Sequence, residues 1–420
     1  MNQGNTAFVL ISTALMLLMT PALAFFYGGL VRAKSVISMM MLSFGSMALV
    51  SVLWIVYGYA ITFSGAGTPG FFGIDGVIGI DVAHIGLDNL IVVPPGVDIP
   101  PLAFAAFEAT FAIITVALIS GAIADRAKFG AWLVFAGVWA TVVYFPVASW
   151  VFNITRDATT GQVTDGGWIM YNLGAIDFAG GTAVEINSGA AALALALVLG
   201  KRVGFAKGIH KPHNVPLVLL GAGLLWFGWF GFNAGSQLAA DGIAALAFIN
   251  TVAAPAAAII GWLIVERIKD GKATAVGAAS GAVAGLVAIT PSCANITPIW
   301  ALILGLITGI VCALAIELKF TFGFDDSLDV VGIHLIGGLI GTLFLGFFAR
   351  DVGLLFSGSF EQLGKQAIAS GAVLIYSFVM TWIIGFVIEK TMGFRVRNED
   401  ELAGIDNIMH GEEGYALESR

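Results

Sequence analysis

Residues Asp177–Gly200, DFAGGTAVEINSGAAALALALVLG, read as an apolar helix of small side chains broken by one carboxylate, Glu185. A charged side chain at bilayer depth costs about 2.5–3.5 kcal/mol on insertion scales, so an acid in such a run usually marks a site. A second stretch, Asp325–Gly338, DDSLDVVGIHLIGG, has the same layout. Asp177, Glu185 and Gly189 are eight and four residues apart, and so are Asp326, His334 and Gly338.

Composition gives the setting. The chain has 420 residues, 58% of them hydrophobic and 11% charged, with a mean hydropathy of +0.94. Soluble domains carry about 25% charged residues. Apolar runs recur every 30 to 45 residues, the mark of a polytopic membrane protein. The expected fold is all-α. Runs of at least 18 residues give eleven transmembrane helices, near 7–31, 38–63, 102–123, 130–152, 178–200, 215–235, 243–265, 273–290, 298–318, 329–349 and 367–389. The domain reading is one membrane domain, 1–391, and one polar cytosolic tail, 392–420.

Lysine and arginine orient the chain. With the N-terminus outside, only Arg156, Arg350 and Lys365 fall on the outer side, and the other sixteen lie in inner loops and the tail, Lys207 and Arg420 among them. The first run has no basic residue before it and Arg32 and Lys34 after it, the wrong order for a cleaved signal peptide. Cys293 and Cys312 are read as free thiols. The net charge is −8 and no basic patch exists, so nucleic acid is not an expected partner. The outer loop, residues 65–100, holds Asp75, Asp81, Asp88 and Asp98 and no lysine or arginine; it either draws cations or is simply a solvated loop.

In this topology the fifth and tenth helices cross in opposite directions. The matched spacing then reads as an inverted repeat, helices 1–5 against 6–10, plus one extra helix. Of five histidines, only His334 lies well inside a span; His84, His210, His213 and His410 fall in loops or the tail. Glu185 and His334 are therefore natural partners, since pairing offsets the cost of burying either. They mark a transport pathway or merely join two helices.

The third helix contains FAAFEATFAIIT, Phe104–Thr115. Phe107 and Phe111 share a face, and Glu108 lies beside it. Glu108 lines a pore or pairs with a polar group on a neighbouring helix; both stay open. The sixth helix contains LLWFGWFGFNAGSQLA, Leu224–Ala239. Trp229, Phe232 and Ser236 form one stripe there, either an aromatic core or a face that holds a small cation.

The motifs TPALAFFYGGLVRAKSV, WFGWFGFNAGS, DFAGGTAVEINSG, DDSLDVVGIHLIGG and GIDNIMHGEEGY occur in this order. Together they resemble the ammonium transporter, methylammonium permease and Rhesus protein family. The resemblance implies an eleven-helix homotrimer in the cell membrane, with one hydrophobic pore per subunit. It implies that Phe111 and Phe232 form a stacked gate and that Trp229 and Ser236 border an outer recruitment site. Asp177 would organise that region, and His334 would be the second histidine of a central pair. Glu185 replaces the first histidine, as in a subset of the family. Phe152 stands where tryptophan is usual, next to an insertion over residues 153–167. The tail would pack under the pore and receive a PII-type signalling protein. The expected activity is passage of ammonium or methylammonium, by a transporter and not an enzyme, with no cofactor or metal. A sensor with little flux and a carrier of another small amine are the alternatives.

Overall fold

A computed structural model of the chain describes residues 1–65, 70–156, 163–205 and 211–415. Lys207, His210, Arg420, the centre of the 153–167 insertion and a short part of the 65–100 loop lie outside the described residues.

With no water to satisfy its amides, a chain inside lipid must bond its backbone internally, and helices do so locally. In chain order the helices are α1 (Gln3–Leu30), α2 (Ala33–Thr62), α3 (Pro101–Ile123), α4 (Phe129–Phe152), α5 (Gly181–Leu199), α6 (Val215–Gly235), α7 (Gly242–Lys269), α8 (Ala275–Ile289), α9 (Pro298–Phe322), α10 (Val331–Phe348) and α11 (Glu361–Thr391). Ten of these, all but α8, are long and apolar enough to cross a membrane. Side chains cap several entrances. Asp241 accepts from the amides of Ile243 and Ala244 at 2.9 and 3.0 Å, and Thr274 from that of Gly277 at 2.8 Å.

Two helices depart from the sequence reading in ways that bear on the fold. The run 273–290 forms a helix of only 15 residues. It stops at Pro291, whose ring nitrogen has no N–H to extend the helical ladder. The following turn is held by Asn250, whose amide donates to the carbonyls of Cys293 and Ile296 at 2.8 and 2.9 Å. Conversely, α11 runs for 31 residues and starts at Glu361, six residues before its apolar run. Two short antiparallel hairpins also occupy connecting loops. β1 (Phe71–Ile74) pairs with β2 (Ile78–Asp81), Phe71 opposite Asp81. β3 (Ile154–Arg156) pairs with β4 (Val163–Gly166) and is bulged at Thr155/Arg156. Asp75–Gly76, between β1 and β2, is a hairpin turn signal.

Helix α6 lies along α1, with Gly228 against Met19 and Gly231 against Ser12. Helices α5 and α10 both begin in a π-helical turn, at Gly181–Ile186 and Val331–Leu335. They meet glycine to backbone. Gly189 faces the backbone of Leu335, and Gly338 faces Glu185 and Ile186. Any side chain at these two positions would push the helices apart.

After α11 the chain folds back onto the helices. The Lys128 amide donates to the Phe394 carbonyl and the Val396 amide to that of Arg126, both at 2.9 Å. Two short helices follow, α12 (Asn398–Ala403) and α13 (Ile405–His410).

Candidate functional site

Glu185 and His334 lie in the two π-helical turns, a distortion frequent at functional sites. Nδ1 of His334 is 2.6 Å from Oε2 of Glu185, and both side chains are buried. With Glu185 ionised, Nδ1–H is the donor, which leaves Nε2 of a neutral ring as an acceptor. Oε1 of Glu185 is buried and has no protein partner. The pair therefore offers two further acceptors to a small N–H donor.

Each half of the pair is oriented by an aspartate eight residues earlier. Asp177 Oδ1 accepts from the amides of Gly180 and Gly181 at 2.9 and 2.5 Å. Its Oδ2 accepts from the amide of Thr182 at 2.7 Å and from the Thr182 hydroxyl. A carboxylate at a helix N-terminus satisfies orphan amides and complements the dipole. Asp326 Oδ2 accepts from the Val331 amide at 2.7 Å and caps α10 in the same way. The repeated spacing is thus a cap, about one helical turn, then the titratable group, then a glycine where the helices touch.

The expected aromatic residues converge. Phe111 and Phe232 have ring centroids 4.7 Å apart. Phe107 and Phe152 pack on Phe111 at 5.1 and 5.9 Å. Trp229 stacks on Phe232 at 5.3 Å, is buried, and donates its N–H to Thr290 at 2.8 Å. Ser236 donates to the Phe232 carbonyl at 2.7 Å. Glu108 is buried one residue beyond Phe107, and no described residue bonds it. Of the two roles left open for Glu108, pairing with a neighbouring helix is the one these contacts do not provide.

The sequence reading passed over Gln366 and Thr290. Gln366 is fully buried, and its amide is saturated. Oε1 accepts from the Ile176 amide at 2.7 Å and from Gln362 at 3.0 Å. Nε2 donates to the carbonyls of Ile176 and Thr342 at 2.7 and 3.2 Å. It joins the loop that carries Asp177 to both α10 and α11. Its signal was a glutamine just outside an apolar run, which is indistinguishable from a polar helix end.

On the side of the tail, buried charges are densely paired. Arg126 is fully buried and donates to the Ala122 and Asp325 carbonyls at 3.0 and 2.6 Å. Burial pushes its guanidinium down to about 10, against the pull of Asp325. Burial raises the Asp325 carboxyl, but Arg202 and Arg126 outweigh this and hold it below its usual range. Arg202 binds both Asp325 oxygens at 2.9 Å. The tail joins this layer. Glu401 accepts from the Val203 amide at 2.6 Å and pairs with Arg395 at 2.8 Å. Asp406 accepts from the Ile37 and Ser38 amides at 3.0 and 2.8 Å. Tyr415 lies 2.8 Å from Nε2 of His213.

The profile of the Ammonium Transporter Family matches residues 7–415. An ammonium transporter of Mycobacterium bovis is 52% identical over 433 residues, covering 98% of this chain and 90% of the relative. The crystal structure of Saccharomyces cerevisiae Mep2 matches with a TM-score of 0.83 at 32% identity, over 95% of this chain and 91% of that one. A Sensor Amt Protein matches with a TM-score of 0.86 at 29% identity, over 97% of this chain and 98% of that one. A multi-pass helical membrane protein with a buried acid–imidazole pair and a cluster of packed aromatic rings, matched along almost its whole length, belongs to the Ammonium Transporter Family.

Proposed function

We propose that this chain transports ammonium, as NH₄⁺ or as NH₃ plus a proton, across the cell membrane through a hydrophobic pore. The observation that carries the reading is the 2.6 Å Glu185–His334 pair with an unpartnered Glu185 Oε1, packed in the same bundle as the touching rings of Phe111 and Phe232.

Ammonium and potassium are similar in size, so the pore selects by chemistry. An aromatic barrier charges potassium its full desolvation cost. Ammonium donates hydrogen bonds and can shed a proton. At the barrier it gives that proton up and continues as a neutral molecule, or it is coordinated by the pair and stays charged. Glu185 and His334 accept and relay the proton as one unit, whose two apparent pKa values belong to the pair. Asp177 fixes the entrance of α5, while Phe107, Phe152, Trp229 and Ser236 border the outer side of the gate.

The wider architecture goes with this reading. Eleven crossings, with the N-terminus outside and the tail in the cytosol, accord with the lysine and arginine bias. An inverted repeat is supported by the matched caps, π turns and glycine contacts of α5 and α10 and by the pairing of α1 with α6. Residues 1–391 are the transport domain, and 392–420 are the regulatory tail. Exposed apolar residues of α6, α7 and α9, such as Phe227, Ile260 and Ile299, suit lipid and neighbouring copies in a homotrimer. A PII-type protein docks on the tail side.

Purified protein in a planar bilayer or proteoliposomes tests this. Ammonium and methylammonium should give saturating currents and potassium none. Equal potassium current, or another amine carried while ammonium is not, overturns the reading. Ammonium binding without flux would mark a sensor.

A further inference from the structure

Helix α11 carries neither member of the buried pair, yet its polar side chains hold the segment that carries Glu185 at two heights. Gln366 grips Ile176, the residue before Asp177, at both backbone groups. Its Oε1 accepts from the Ile176 amide and its Nε2 donates to the Ile176 carbonyl, each at 2.7 Å. The same Nε2 donates to the Thr342 carbonyl of α10 at 3.2 Å. Further along α11, Ser377 donates to the Asn187 carbonyl of α5 at 2.7 Å. Gln366, Ser377 and Asn187 are all fully buried.

The two grips are in register. Ile176 to Asn187 is eleven residues, and so is Gln366 to Ser377. Over that interval α11 is regular helix and advances about 16 Å. The facing segment is not regular. Residues 177–180 lie outside any helix, and Gly181–Ile186 is the π-helical turn. Such a stretch has no fixed rise of its own. Asp177 gathers the first amides of the turn, and the Asn187 side chain donates back to the Ala183 carbonyl at 3.1 Å, but these bonds are internal to the segment. The glycine contacts with α10 allow close approach, and an apolar contact is not directional. The directional bonds that fix the segment from outside are those of Gln366 at one end and Ser377 at the other, with Glu185 between them.

We infer that Gln366 and Ser377 are positioning residues for transport, which set the height of Glu185 against His334 without bonding to either side chain. The inference rests on the transport reading above. A functional constellation has to be held within about 0.5 Å, and a misplacement of about 1 Å can cost a hundredfold in rate. The 2.6 Å contact makes Glu185 and His334 titrate as one unit, so their pH dependence follows the same displacement. The ionisable groups coupled to Glu185 are His334 on α10, Asp177 ahead of α5 and the Tyr27 phenol on α1. None of these lies on α11, so a change at Gln366 or Ser377 reaches the pair through position and not through charge.

Currents from proteoliposomes over a pH series, with crystal structures of the same variants, test this. Gln366→Met keeps the length and removes every bond of the amide, and Ser377→Ala removes one hydroxyl. In both, the midpoint of the pH profile of the ammonium current should move by about half a unit or more. In both, the Glu185–His334 distance should change by about 0.5 Å or more. A midpoint or a distance that stays at the wild-type value overturns the inference. So does a variant that melts earlier with both unchanged, since that is the result of ordinary packing. If Gln366→Met does not fold, Ser377→Ala decides by the same two readings. If the wild type carries no current, the transport reading fails, and the pair distance in the variants decides whether α11 positions Glu185.

Discussion

Glu185 has a different chemistry from the imidazole that the family resemblance implies at its position. A carboxylate accepts a proton and, when ionised, attracts the cation that brings it. Glu185→Gln keeps the shape and removes both properties. The ammonium current should fall about tenfold or more, or shift its pH profile, with the folded protein intact. An unchanged current and pH dependence would remove Glu185 from the mechanism. Phe111 and Phe232 act through what they exclude. Their 4.7 Å contact leaves no path for a hydrated ion between the two rings. In the double alanine variant, water should enter and potassium should begin to permeate or compete. If potassium is still rejected, the rings are not the filter.

At the scale of elements, the pair distance is set by how closely α5 and α10 approach. Gly189 and Gly338 make that approach possible, each four residues beyond the titratable group of its own helix. A methyl at Gly338 would lie 3.0 Å from the Glu185 Cβ and 3.2 Å from the Ile186 amide nitrogen, tight but short of outright overlap. A methyl at Gly189 would overlap the Leu335 backbone, 2.4 Å from its amide nitrogen. Gly189→Ala should therefore cost about 1–3 kcal/mol, and Gly338→Ala less. Thermal melts of the purified variants check the order, and equal melting temperatures would contradict it. The saturated amide of Gln366 supports the same junction by tying the Asp177 loop to α10 and α11.

For the whole molecule, the tail is too polar for lipid, and its residues up to Tyr415 are bound into the tail-side layer. Arg32 donates to the Glu401 carbonyl at 3.0 Å, and Asp406 caps the start of α2. These bonds reach the loops after α1, α3 and α5, so the tail can report on the ends of several helices at once. Truncation after Thr391 should leave the helices assembled but alter flux and abolish binding of the cognate PII-type protein. A truncated protein that transports and binds like the full chain would exclude a regulatory tail.

Several features were legible in the sequence alone. Helices were readable because lipid forces apolar runs into internally bonded segments, and the observed bounds of α1 to α7 lie close to those runs. Glu185 and His334 were readable because an ionisable group inside an apolar run is costly enough to be informative. The matched spacing pointed to a shared plan before any contact was known. Other features needed the tertiary structure. Pro291, which has no N–H to give, ends α8 early, while α11 begins in polar sequence that only packing makes helical. The hairpins in the loops carry a weak turn signal that long apolar runs overshadow. Gln366 and Thr290 gain importance solely from what folds against them. Glu108 had two open roles because a sequence shows a charge but not its partner. Among the described residues no hydrogen bond or ion pair reaches that carboxylate, which depends on which side chains the neighbouring helices bring to α3.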